Sequence, residues 1–589
     1  MIKDESLVDR WSDISWPKAV NWVLKLQTRI YHASKRGDRK QVHNLQKLLL
    51  HSQLVACVAV WRVTQRNSGK NSAGVDGVAR LTPEQKLALA HSLDLEPQAQ
   101  PTRRIWIPKA NSDEKRPLGI PAMRDRAIQT LALMALEPEW EAKFEPNSFG
   151  FRPGRCQHDG LCLIQSAIAL CPRYVLDADI TKCFDRINHQ ELLRKLDTFP
   201  TIRRLIRAWL QAGFLDDGKL LPTEMGTPQG GIISPMLMNV TLHGLETAII
   251  SAFPASKTVG GRRLIWRPIV VRFADDFVVL HRDREVILQC RDIANHWLHG
   301  IGLELSEKKT RIVHTLNRED GKCGFTFLGL KIWQRRTGKY GTPKMLNQVL
   351  TLIEPSPDSL KRHYKEIAEV ISACDALSQE ALIGKLNPKI RGWTNYFRRW
   401  NSRRAFSKLD RLLFLRLWRW AKRRHTNKGT DWRYRKYWPK GSPRRFRSSS
   451  GPTLTKYSDA PIEHHVKIQS DRSPYDGDWA YWASRRGYHP SVSKSQAILL
   501  RRQNGRCAEC GLAFGPDERP DDTLAIRFLD GNTGNRRYAN QALLHRQCAE
   551  KRRSHSEPIG EEPDEVKVSC PVLKTSGACE GSTEFNEIT

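Results

Sequence analysis

The sequence predicts a multidomain α/β protein, and three observations carry that reading. Short β-branched and aromatic runs, Tyr174 to Asp179 and Val270 to Leu280, read as strands, whereas residues 14–60 and those beyond about 345 place apolar side chains at helical spacing. The chain has 589 residues, 40% of them hydrophobic and 18 of them tryptophan, enough for several cores. Its composition also shifts, from mixed, through a basic and aromatic stretch, to an acidic end.

The formal net charge is +33. Such an excess repels itself in a free compact state, so a polyanion is expected as the standing partner, nucleic acid before a membrane surface. No apolar run is long enough to span a bilayer and residues 1–5 lack a signal-peptide core, which makes a cytoplasmic location the expectation. Thirteen scattered cysteines are too sparse for a disulfide scaffold, and most read as small packed residues.

Along the chain, residues 14–60 read as helices with basic outer faces. Asn67 to Gly77 is rich in turn formers and reads as a surface loop or lid. Arg103 to Lys109 and Lys115 to Pro121 read as a basic hairpin, with Lys109 and Arg116 as neighbouring cations able to grip phosphates. Arg124 to Leu136 continues as a helix, and Asn147 to Arg155 is a loop whose Arg152 and Arg155 either approach phosphate or hold the loop.

The strand from Tyr174 carries Asp177 and Asp179 on one face. In Val270 to Leu280 a tight tip is expected over Ala274 to Asp276, setting Asp275 and Asp276 side by side. Anions so close are tolerated where a divalent cation neutralises them or one stays protonated. A two-metal site needs carboxylates from separate strands, with ions ~3.5–4 Å apart. Asp179 with Asp275 and Asp276 would supply that set, and Asp177 is a rival for the place of Asp179. Asp185 is expected to cap a helix from Asn188 to Leu196 or to pair with a base. The glycines of Pro228 to Gly231 let backbone approach a ligand, and Gln229 can donate and accept.

Residues 401–450 contain 17 Lys or Arg against only Asp410 and Asp431, interleaved with aromatics. That mixture suits structured RNA and a template-primer duplex, although Leu409 to His425 alone also fits a basic amphipathic helix for membranes or calmodulin. Gly441 to about Ser495 is rich in Pro, Ser and Arg. Cys507 and Cys510, then His545 and Cys548, have the paired two-residue gaps of a tetrahedral zinc site. From Glu557 the chain is acidic and without periodicity, and disorder is expected.

The boxes Phe273-Ala274-Asp275-Asp276, Asp179 to Asp185 and Thr227 to Pro235, with Leu386 to Phe397 downstream, resemble bacterial group II intron-encoded reverse transcriptases and maturases over nearly all of residues 1–555. The resemblance implies a right-hand fold: fingers, a palm with an antiparallel sheet, a helical thumb or maturase domain and a small zinc-knuckle domain. Its divisions would be an N-terminal helical extension with a template-contacting loop (1–100), fingers and palm (101–345), thumb (346–440), a DNA-binding region (441–498), an HNH-like endonuclease domain (499–556) and a tail (557–589).

It implies Asp179, rather than Asp177, with Asp275 and Asp276 as catalytic ligands of two magnesium ions. It further implies Lys109, Arg116, Ile180, Phe184, Gln229 and Lys309 around a deoxynucleoside triphosphate, Phe184 lying under the sugar and excluding a 2′-hydroxyl. Phe327, Leu328 and Gly329 would form the primer grip. Arg391, Trp393, Arg398, Arg399, Arg403, Arg404, Arg423 and Arg424 would face RNA. Phe273 departs from the commoner Tyr at the head of the Asp-Asp box, which leaves metal binding intact but bears on primer positioning.

The implied activity is RNA-directed DNA polymerisation by a protein that binds its intron RNA, assists splicing, and copies the inserted RNA at target-site DNA during retrohoming. The HNH-like segment departs from its family where chemistry occurs: Arg527-Phe528 stand for the histidine pair, Ala549 for the closing histidine, and only Asn540 remains. A structural zinc on Cys507, Cys510, His545 and Cys548 without nuclease activity is therefore expected. The competing readings are an RNA-folding cofactor that does not polymerise, and the reverse transcriptase of a retron or CRISPR-associated system. The oligomeric state stays open.

Overall fold

The computed structural model describes residues 10–108, 115–169, 171–319, 321, 323–337, 349–439, 445–448, 451–469, 471–515 and 520–553. Lys109 and the acidic tail with Cys570 and Cys579 lie outside them.

Three helices open the chain, Trp16–Lys35, Arg39–Leu50 and Gln53–Trp61. Their apolar stripes close on the helix Met123–Glu141, which is buried along nearly all its length. Polar groups on that interface are paired, as burial requires: Gln27 donates to the carbonyl of Met134 at 2.9 Å and Gln46 to Glu139 at 2.7 Å. The loop after Trp61 is pinned rather than a free lid. Arg126 donates to the carbonyls of Gly69 and Ser72, Arg103 to that of Ala73, and Asp76 accepts from the Met123 amide.

The basic hairpin forms as expected, Thr102–Pro108 pairing antiparallel with Lys115–Ile120 so that Ile107 faces Arg116. Phe214–Asp216 adds to its other edge in parallel, followed by Lys219–Leu221.

The central sheet has the order Arg311–His314, Tyr174–Asp179, Asp276–His281, Ile269–Phe273, every pair antiparallel. Successive side chains alternate between two cores: Leu176, Ala178, Phe277 and Val279 enter one, and Val175, Val278 and Leu280 enter the other. Burial on both faces explains why these strands read as unbroken apolar runs. A three-stranded sheet follows (Phe325–Phe327, Leu330–Arg336, Val349–Pro355), then helices Pro357–Ala373, Gln379–Phe397, Arg403–Arg424 and Thr430–Tyr437. The long basic helix turns Leu409, Leu413, Leu417 and Trp420 into the second core.

Beyond Arg445 the chain returns across the sheet's helices. Buried Asp159 accepts from His465, Ile468 and Arg485 at 3.0, 2.8 and 2.6 Å, and Tyr31 donates to the carbonyl of Asp471. This lacing was illegible in a stretch that is poor in periodicity. A third core joins the helices Trp479–Arg486 and Lys494–Arg502 to the pair Leu524–Phe528 and Gln541–His545, and the helix Arg546–Arg553 completes a ββα unit. Among the described residues no helix is long and apolar enough to cross a membrane.

Candidate active site

Asp179 ends its strand directly opposite Asp276 on the neighbouring antiparallel strand. Phe273 pairs with Asp276, so the tip is two residues, Ala274 and Asp275, instead of the expected three, and Asp276 belongs to the strand. Ala274 has φ +60, a conformation that costs a non-glycine residue about 1 kcal/mol or more. Its surroundings hold it there. Buried Arg272 donates to the carbonyl of Ala274 at 3.2 Å and to Asn239 at 3.0 Å, and Asn239 donates to the carbonyl of Gly150 at 2.8 Å. A β-carbon at Gly150 would lie 2.2 Å from the Ala274 amide nitrogen, so only glycine lets the tip come this close.

The three carboxylates crowd one another. Burial against the sheet and the charge of Asp179 raise the pKa of Asp275, while Arg116 and Lys309 pull it back. Asp276 rises to about 7, through desolvation and then through Asp275, Asp179 and Asp177. Because Asp276 is itself exposed, the ring of like charges is the cause we give most weight. Lys309 donates to Asp179 at 2.9 Å, a bond that raises the lysine's own pKa. The rival Asp177 is occupied by Arg311, at 2.9 and 3.0 Å.

A cavity of about 360 Å³ has Phe184, Asp185, Gln229, Arg104 and Gly119 in its wall. Phe184 meets Phe151 edge to face, ring centroids 6.4 Å apart, and Gln229 donates to Asp185 at 3.3 Å. Asp185 therefore caps no helix; Asn188 does, accepting from the amides of Gln190 and Glu191. The Ile180 side chain is 2% exposed within the core, so it is the backbone of Ile180 that could face a ligand. Arg104, on the same hairpin as the expected Lys109 and Arg116, stacks on Phe214 at the cavity wall.

Leu328 and Gly329 form a two-residue turn with φ +50 and +79. Tyr396 donates to the Leu328 carbonyl at 2.8 Å, and the Ser356 amide and Ser359 hydroxyl donate to that of Gly329. Phe327 is buried beneath the turn.

Several cations expected at nucleic acid have protein partners. Arg152, 5% exposed, is held by Glu141 at 2.8 and 2.9 Å, and Arg155 donates to the Pro146 carbonyl, so the structural alternative holds for that loop. Arg398 pairs with Glu463, Arg423 with Asp375, and Arg424 donates to the carbonyls of Asp375 and Leu377. Trp393 stacks on His363 at 5.0 Å within an aromatic cluster, a packing place rather than an open face. Arg391, Arg403 and Arg404 are exposed, and Arg399 is half-buried.

Among the described residues, Cys507, Cys510, His545 and Cys548 bring their ligand atoms within 4.8 Å of one another. Burial raises the Cys507 thiol, but hydrogen bonds from the backbone of Cys510, His545 and Glu509 outweigh it and bring it down to about 7. In the ββα unit Arg527 pairs with Glu509 at 3.3 Å, and Asn540 donates to Asp530 at 2.7 Å, closing a loop.

Residues 107–332 match the family described as reverse transcriptase (RNA-dependent DNA polymerase), 11–93 the N-terminal domain of reverse transcriptase, and 360–438 the group II intron maturase-specific domain. Protein YkfC of Escherichia coli K12 is 30% identical over 361 residues, 56% of this chain and 92% of that protein. The group II intron-encoded protein LtrA of Lactococcus lactis is 30% identical over 358 residues, 50% of this chain and 59% of LtrA. Maturase-like protein 1 of Euglena gracilis is 29% identical over 254 residues, 41% of this chain and 52% of that protein. The matched segments bracket the paired aspartates on one side and the basic helices on the other, and the chain belongs to the family of group II intron-encoded proteins that join a reverse transcriptase, an RNA-directed DNA polymerase, to a maturase domain.

Proposed function

We propose that the protein binds its own intron RNA, assists its splicing, and copies it into DNA from a primer at the target site. The observation that carries polymerisation is the direct opposition of Asp179 and Asp276 on paired strands, with Asp275 on the adjoining turn. An all-oxygen, all-anionic donor set fits a hard divalent cation, and the mutual repulsion that raises Asp275 and Asp276 is what such a cation would relieve. Asp179, Asp275 and Asp276 would hold magnesium, which supplies neutralisation of the attacking 3′-oxygen and the leaving pyrophosphate.

The chain's own groups do the rest. Arg116 and Lys309 are positive charges beside the carboxylates and draw in a triphosphate. Phe184 walls the cavity where a sugar would lie and excludes a 2′-hydroxyl by its bulk, while Gln229 offers a donor and an acceptor to the nucleotide. The rigid Leu328-Gly329 turn positions a primer end, fixed by three hydrogen bonds to its carbonyls. Exposed Arg391, Arg403 and Arg404 on the thumb helices face RNA phosphate. The Cys507, Cys510, His545 and Cys548 cluster suits a structural zinc with thiolate and imidazole ligands. Arg527 supplies no imidazole to activate water, so the module binds DNA without cutting it.

Primer extension on an RNA template with magnesium tests the reading, Asp275→Asn serving as the dead control. Extension by the unaltered protein alone supports it. Equal extension by both, or by neither while RNA binding persists, refutes it in favour of a non-polymerising RNA cofactor. Sequencing the RNA that copurifies distinguishes intron RNA from that of another system.

A further inference from the structure

One cavity on the basic face is built neither like a core void nor like a phosphate site. The helix Arg403–Arg424 turns Leu413, Phe414 and Leu417 toward it at helical spacing, and Tyr434 and Trp438 close it from the following helix and its end. Its volume is about 320 Å³, roughly ten times the ~30 Å³ share of one water in the liquid. Phe414 is 37% exposed, a large apolar ring left partly open on a helix bristling with cations. The rings are arranged as walls: Phe414 and Trp438 have centroids 5.3 Å apart, Tyr434 and Trp438 5.7 Å at 30°. Lys456 is at the rim. The one carboxylate in the lining, Asp410, is engaged, its oxygens accepting the amides of Tyr457 and Ser458 at 2.8 and 3.0 Å, and its charge is felt by Arg445 nearby.

We propose that this cavity receives a single unstacked nucleobase of the bound RNA. The inference rests on the RNA-binding reading above and adds where, and by what contact, a base is taken. Paired RNA hides its base edges in a deep narrow groove, so proteins read it at bulges and loops, by stacking extruded bases on aromatic rings. A flat ring that enters the cavity and lies against the open face of Phe414, with the Tyr434–Trp438 pair as the opposite wall, gains that stacking, while its flanking phosphates meet Lys456 and the basic helix. An aliphatic peptide side chain would also find apolar walls, but the surrounding excess of 17 Lys or Arg over two Asp in residues 401–450 favours a polyanion.

The test uses the full-length protein and two hairpin RNAs, one with a single bulged 2-aminopurine and one fully paired. The unaltered protein is expected to bind the bulged hairpin about tenfold tighter and to quench its fluorescence as the base stacks. Phe414→Leu, which keeps an apolar filler but no ring face, is expected to bring the bulged-over-paired ratio to about one, and Phe414→Tyr to restore it. Thermal unfolding midpoints of both variants identify any loss of fold. Equal preference in the unaltered protein and Phe414→Leu overturns the base pocket alone. Failure of the unaltered protein to bind either hairpin overturns the RNA-binding reading itself.

Discussion

The Asp275–Asp276 hairpin and the C-terminal ββα unit both gather side chains of metal-ligand type, and they treat them in opposite ways. At the hairpin, three carboxylates are left crowded, two of them with raised pKa values, around a tip held in a strained conformation by Arg272 and Gly150. In the ββα unit, three cysteines and a histidine close on one another, and the place beside them is filled by an Arg527–Glu509 pair. A fold keeps unfavourable charge where chemistry needs it and relieves it where only packing is needed. On the proposed function this contrast separates a working site from a scaffold.

The comparison breaks first at the carboxylates. Asp275→Asn should lower RNA-templated primer extension at least ~1,000-fold, since a metal clamp on the reacting oxygens is worth several kcal/mol. Gly150→Ala keeps every catalytic group but drives a β-carbon into the Ala274 amide, and a tip displaced by ~1 Å should reduce extension about 100-fold. Steady-state extension with unchanged RNA affinity checks both.

The other half of the contrast is tested by Cys507→Ser with Cys548→Ser. Bound zinc, measured by mass spectrometry, should fall from one per chain to none, and residues 505–553 should become open to proteolysis. Primer extension should change by less than about twofold, because the unit shares no group with the palm.

The smallest effect separates function from stability. Asp276 has its pKa raised to about 7, so between pH ~4 and 7 the folded metal-free protein holds a proton that the unfolded chain has lost, and stability falls as pH rises through that window. Asp276→Asn should therefore raise the metal-free unfolding midpoint by ~1–3 °C at pH 8, with the gain gone near pH 4, while abolishing extension.

What could be read in the sequence followed from periodicity and short spacing. The strands around Asp179 and Asp275, the basic hairpin, the thumb helices and the two-residue cysteine gaps were all visible because each signal is local. What escaped depends on partners distant in the chain. Arg152 leaves two readings open until Glu141 is seen beside it, and Trp393 reads as a residue facing RNA until His363 is seen stacked on it. Asn188 displaced Asp185 as a cap because a cap must adjoin the first turn, and the tip lost Asp276 because Phe273 pairs with it. His465, Ile468 and Arg485, in a stretch with no repeat, are held by Asp159 some three hundred positions away.

Iron substituted for magnesium, with ascorbate and peroxide, cuts a polypeptide beside the bound ion and so reports where the ion is held. The account requires cuts next to Asp179 and next to Asp275–Asp276 together, both lost in Asp179→Asn. Cuts at only one of those strands, or a pattern that Asp179→Asn leaves unchanged, would contradict it.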